Sequence, residues 1–130
     1  IYNMKNKLFI GFVFMSLLVS KPSFANWVKV SQDKDIKLFV NFKTITGSRD
    51  QKYVWVLMDE RQNRKSYKSR VAHMSIDCKI GRFKLLALLL YDDHMGKGKR
   101  LKEIQNVKRG WESTPPDSPG YSVQKAICYR

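Results

Sequence analysis

Few residues in this chain are of a type that does chemistry, and their spacing narrows what that chemistry is. The chain has two histidines, His73 and His94, and two cysteines, Cys78 and Cys128. A hydrolytic site would need one of the histidines beside a Ser or Cys nucleophile. His73 stands in a run of strand-like period, with Ser69, Val71 and Ser75 on its face, and reads as a strand residue rather than a general base. Asp92, Asp93 and His94 are consecutive, and three adjacent residues do not wrap a cation. His94 and Met95 are side chains of types that can contact haem iron, set against the plainer reading of a turn residue and a core methionine. The expectation is a protein without catalytic residues, without a metal site and without an obligatory cofactor.

Cys78 and Cys128 lack CxxC spacing and have only two histidines for company, so free thiols or a metal pair suit them less well than a bond to each other. In a small exported domain, two cysteines read as one disulfide. The chain-entropy model values the closure of that long loop at roughly 4 kcal/mol.

The basic residues are the better candidates for function. Lys65, Lys68 and Arg70 cluster at the start of the longest regular run. Lys97, Lys99, Arg100 and Lys102 follow a Gly-containing turn, and Lys108 and Arg109 precede Trp111. Residues 26–130 hold 22 of the 25 Lys and Arg and all 11 Asp and Glu, a net charge of +11. Such an excess favours anionic partners: lipopolysaccharide, acidic lipid, sulfated glycans or acidic proteins. Nucleic acid is compatible with the charge, but no recognised nucleic-acid module is visible.

These side chains must be positioned by few elements. Ahead of them, Lys5 and Lys7, an apolar run from Leu8 to Val19, and Ser23–Phe24–Ala25 form a signal-peptide pattern, with Ile1–Tyr2–Asn3 as a short upstream extension. The expectation is a leader over residues 1–25 and one exported domain over 26–130. No cysteine follows the cleavage site, so the usual lipoprotein anchor is not expected. Within the domain, β-rich runs alternate with polar turns. Strands are expected at Trp27–Val30, Ile36–Asn41, Tyr53–Asp59, Tyr67–Cys78, Phe83–Tyr91 and Leu101–Val107. In Tyr67–Cys78 the even positions place Ala72, Met74, Ile76 and Cys78 on one face. Phe83–Tyr91 is apolar on both faces and needs cover on both, from a dimer or a packed loop. Trp111–Pro119 reads as a loop. Asp117 and Ser118 are candidate caps for a helix over Pro119–Tyr129.

Several motifs recur together: Tyr53–Asp59, Ser66–Tyr67–Lys68–Ser69, Ile76–Asp77–Cys78, Gly81–Arg82, the turn Tyr91–Gly98, Trp111 and the late Cys128. Over essentially all of residues 26–130 the chain resembles the surface-adhesin protein E family of Gram-negative bacteria. The resemblance implies an α+β fold: an antiparallel sheet of about six strands, with a C-terminal helix held to it by a Cys78–Cys128 bridge. It also implies a homodimer through the sheet and a place in the periplasm or at the cell surface. The implied role is adhesin-like, with host matrix and complement-regulating proteins, and haem, as partners. A periplasmic protein binding anionic lipid, glycan or haem without adhesion is the alternative.

Overall fold

The computed structural model describes residues 26–63 and 65–129, so the leader expected at residues 1–25 lies outside the described residues. The strands are β1 (Trp27–Gln32), β2 (Ile36–Gly47), β3 (Gln51–Glu60), β4 (Ser69–Asp77), β5 (Arg82–Tyr91) and β6 (Arg100–Ile104). Each pairs antiparallel with its predecessor, so order in the sheet follows order in the chain. A two-residue strand β7 (Glu112–Ser113) pairs with β5, and helix α1 (Pro119–Cys128) follows it. This is the six-stranded antiparallel sheet with a C-terminal helix that the sequence implied. Strand β7 is the addition. It lies in the stretch read as loop, and its register, Phe83 opposite Glu112, comes from tertiary pairing rather than from any local period.

Side-chain alternation produces two unlike faces. Leu38, Val40, Val54, Val56, Ala72, Met74, Ile76 and Leu85 line one, where Val123 and Ile127 of α1 close the main core. Leu57, Val71 and Leu89 are buried on the other, with Trp27, Phe39, Trp55, Tyr91 and Met95 packed around them. Strand β2 runs longer than its expected end at Asn41 because it carries an irregularity between Asn41 and Thr46. The kink is satisfied locally: Thr44 Oγ1 donates to the Asn41 carbonyl at 2.7 Å and accepts from Trp55 N–H at 3.1 Å.

The helix begins where its caps allow. Ser118 Oγ accepts from Tyr121 N–H, and Pro119 occupies the first turn. Val123 and Ile127, one turn apart, are 1% and 0% exposed. Burying two such side chains contributes about 1.5–3 kcal/mol each. At the far end, Cys128 is bonded to Cys78, with Cα atoms 5.6 Å apart. Cys78 faces the apolar side, as alternation along β4 placed it. Lys52 Nζ adds a second tether by donating to the Ile127 carbonyl at 3.0 Å, a favourable contact for a cation at a helix C-terminus.

Candidate functional site

Register gathers the chemistry-bearing residues at one end of the sheet. Ile36 stands opposite Glu60, Asp59 opposite Ser69, and Ser69 opposite Tyr91. The start of β2, the end of β3, the start of β4 and the end of β5 therefore meet. The β5–β6 turn folds over this end. Ser69 Oγ, fully buried, donates to the Asp93 carbonyl at 2.6 Å and accepts from Gly96 N–H at 2.9 Å. Asp59 Oδ1 accepts from Met95 N–H at 2.9 Å and lies 3.1 Å from His94 Nδ1. That anchor holds Met95 in the left-handed region, at φ 60°, where a branched chain would be strained. Met95 packs against the second core. A Cβ on Gly96 would come within 3.3 Å of Val71 Cγ2 and 3.6 Å of Leu57 Cδ1, so a bare backbone lies close over that core.

Around this end the carboxylates are engaged. Asp92 Oδ1 accepts from Lys99 N–H at 2.7 Å, and Asp93 Oδ1 accepts from His94 N–H at 2.7 Å. Glu60 pairs with Lys65 at 3.2 Å. A hydrogen bond to Tyr67, and then the Glu60 pair, raise the Lys65 ammonium above its ordinary value. Lys68, Lys97, Lys99, Arg100 and Lys102 are all exposed. Arg100 contacts Glu103 at 3.5 Å and Tyr91 Oη at 3.2 Å. Lys99 and Lys102 have no carboxylate partner among the described residues. Two basic residues not singled out in the sequence join them: Lys37 and Arg61 share a shallow pocket with Asp59, Glu60 and His94. The antiparallel β2–β3 register, Lys37 opposite Asp59, is the signal that would have found them.

The other sequence candidates go elsewhere. Lys108 and Arg109 lie away from this end, near the opposite end of β5, where Val107 N–H bonds to the Leu86 carbonyl and Arg109 pairs with Glu112 at 3.0 Å. Trp111 is covered by the Arg82 guanidinium, 4.6 Å from its ring. Arg70 is not part of the basic surface. It shares the helix-covered face with Ala72 and Met74, and its guanidinium lies 5.4 Å from the Tyr67 ring.

His73 stacks on Trp55, with ring centroids 4.7 Å apart and planes 15° apart. Burial lowers its pKa below the ordinary imidazole value. Its serine neighbours are occupied, Ser75 by Gln51 Nε2 at 3.1 Å and Ser69 by the β5–β6 turn. Among the described residues, no group of three His, Cys, Asp or Glu could hold a metal ion. The pocket that His94 lines is walled by Lys37, Asp59, Glu60 and Arg61. Those charged walls do not fit a porphyrin, which needs an apolar slot.

No described helix is long and apolar enough to cross a membrane. No curated protein matches the sequence closely enough to be informative. Solved structures do resemble it. Protein E of Haemophilus influenzae, in a second crystal form, superimposes with a TM-score of 0.63 at 13% identity, over 81% of this chain and 88% of that one. Protein E from non-typeable Haemophilus influenzae gives a TM-score of 0.60 at 14% identity, over 85% and 79%. At that identity the likeness establishes the fold. A family model described as surface-adhesin protein E matches residues 27–129, which is nearly the whole described chain. The chain belongs to the surface-adhesin protein E family.

Proposed function

We propose that this chain is an exported, non-enzymatic binding protein, adhesin-like, that offers the basic end of its sheet to an acidic partner such as a host matrix protein or a sulfated glycan. Residues 1–25 serve as its cleaved leader. One observation carries the reading: at that end Asp59, Asp92 and Asp93 are engaged with the β5–β6 turn and Glu60 with Lys65, while Lys68, Lys99 and Lys102 face solvent. The anchored turn holds these ammonium groups on a shared frame, which lets several of them meet one polyanion at once. Family membership supports surface display.

The test is salt elution from a sulfated-glycan column. Reversal of Lys99 and Lys102 to Glu, a change of four charges, lowers the eluting salt concentration strongly. Reversal of Lys108 and Arg109, away from that end, lowers it less. Equal effects would mean that net charge alone is read and would remove the basic end as a site. Protease shaving of intact cells tests display: the protein is lost if it faces outward. A second copy of the chain is the other partner supported here, because Trp27, Phe39 and Trp55 lie part-exposed on the sheet face that α1 does not cover. Sedimentation over a concentration series reads that association directly.

A further inference from the structure

Between the sheet and the N-terminal end of α1 lies an open cavity of about 300 Å³, on the opposite face of the sheet from the β5–β6 turn. That volume is at the lower end of the range for small-molecule sites. Its walls are largely apolar, with Met58, Met74, Phe83, Leu85 and Leu88 of the sheet and Val123 of the helix, and the two methionines let it adapt. Gly120 sets the helix close, since a Cβ there would meet Phe83 Cε1 at 2.9 Å.

Two features of this cavity are polar. The first is Arg70, which lines it from mid-sheet, between Met58 of β3 and Leu90 of β5. Its Nε is buried and has no hydrogen-bond partner, the one such side-chain atom among the described residues. Among the described residues no carboxylate pairs with this guanidinium. A buried N–H donor without an acceptor is costly, and an anion in the cavity that accepted from it would relieve that cost. The second is the start of α1. Ser118, Pro119 and Gly120 line the same cavity, and the first turn of the helix holds no acidic residue to offset its positive end. Glu112 and Arg109 also line the cavity, and they pair with each other at 3.0 Å, so the carboxylate there is already held. The cavity is thus greasy along its walls and positive at Arg70 and the helix start.

We propose that this cavity binds a single-chain fatty acid, its carboxylate on the Arg70 guanidinium and its chain against Met58, Met74, Phe83, Leu85 and Leu88. A planar guanidinium matches a carboxylate with two parallel hydrogen bonds. The small volume suits one chain and not the two of a diacyl lipid. The site is separate from the basic end and stands whether or not that end binds polyanions.

Titration calorimetry of the full domain with decanoate, decanol and decyltrimethylammonium tests the assignment. Decanoate binds one per chain, roughly ten- to a hundredfold tighter than decanol, the difference expected for a charge-assisted pair. The cation binds weakest. Arg70→Met abolishes the preference, bringing decanoate to the affinity of decanol, and it keeps the fold because it replaces an unpaired charge with an apolar chain of similar reach. Leu88→Trp, which fills the cavity, removes binding of both. Equal binding of acid and alcohol by the parent, or an unchanged preference in Arg70→Met, overturns the proposal. A final arm separates sources. Binding to phosphatidylglycerol vesicles without binding of free decanoate would assign the anion to a membrane lipid and overturn the fatty-acid reading.

Discussion

The two faces of the sheet come from the same strands and the same alternation, yet they are finished differently. On one, Val123 and Ile127 of a disulfide-bound helix descend into Leu38, Val40, Val54 and Val56 and are sealed from water. On the other, the β5–β6 turn packs over Leu57 and Val71, while Trp55, Phe39 and Trp27 stay part-exposed. A meander uses most of its chain to make the sheet. The segment left after β6 covers one face, and the second receives only what a turn can spare. The covered face is the source of stability. The open one, with the basic rim at its end, is free to meet other molecules.

The contrast can be broken at its strongest point first. Replacing Cys78 and Cys128 together by Ala releases a loop with sequence separation 50, at a cost of about 4 kcal/mol. Denaturant unfolding under non-reducing conditions measures it, and an unchanged midpoint would mean that the bridge does not hold the helix face. Next comes a matched pair of truncations. Ile127→Ala opens a void in the sealed core and costs about 2–5 kcal/mol. Trp55→Ala, on the open face, costs about 1–2 kcal/mol, mostly its stacking on His73. Equal costs would show that the open face is covered in solution, and a melting temperature that rises with protein concentration would identify a second copy as the cover.

Asp59→Asn sharpens the comparison from the turn. It removes the charged acceptor of Met95 N–H and costs about 1–2 kcal/mol. Amide exchange accelerates in residues 92–99 and stays slow in α1, because the loss is local. The smallest effect is in pH. Burial against Trp55 depresses the His73 pKa, so the unfolded chain takes up this proton first. His73 therefore contributes nothing to the pH slope above its ordinary value near 6.5 and lowers stability as pH falls from there through its folded pKa. His73→Gln flattens that slope, as read from melting temperatures across the interval.

Much of this was legible in the residues. The even positions of β4, the pair Cys78 and Cys128, and the Ser118–Pro119 start of α1 each obey one local rule, and the fold follows those rules. Arg70 was legible too. It shares parity with Ala72 and Met74, which places it on the apolar face, but its neighbours Lys65 and Lys68 suggested a basic cluster instead. Other features depend on pairing across the chain. Lys37 and Arg61 join the basic rim only through the β2–β3 register, and β7 exists only because Phe83 finds Glu112. The close approach of Gly96 to Val71 is equally non-local, and nothing near residue 96 announces it.

The strictly sequential strand order also bears on how the molecule assembles. Each strand docks on the one just before it in the chain, so loop closures during sheet formation are short and the sheet can grow from its N-terminal edge. The long-range closures come last: β7 returns to β5, and then α1 crosses the sheet to reach Cys78 after β4. Until that step, Val40, Val56 and Ile76 form a bare apolar surface on an otherwise paired sheet, a species prone to aggregate. Oxidation of Cys78 with Cys128 then acts as a latch on the last event of folding. A chain oxidised late would spend its most vulnerable interval with every strand in place and its main core still open.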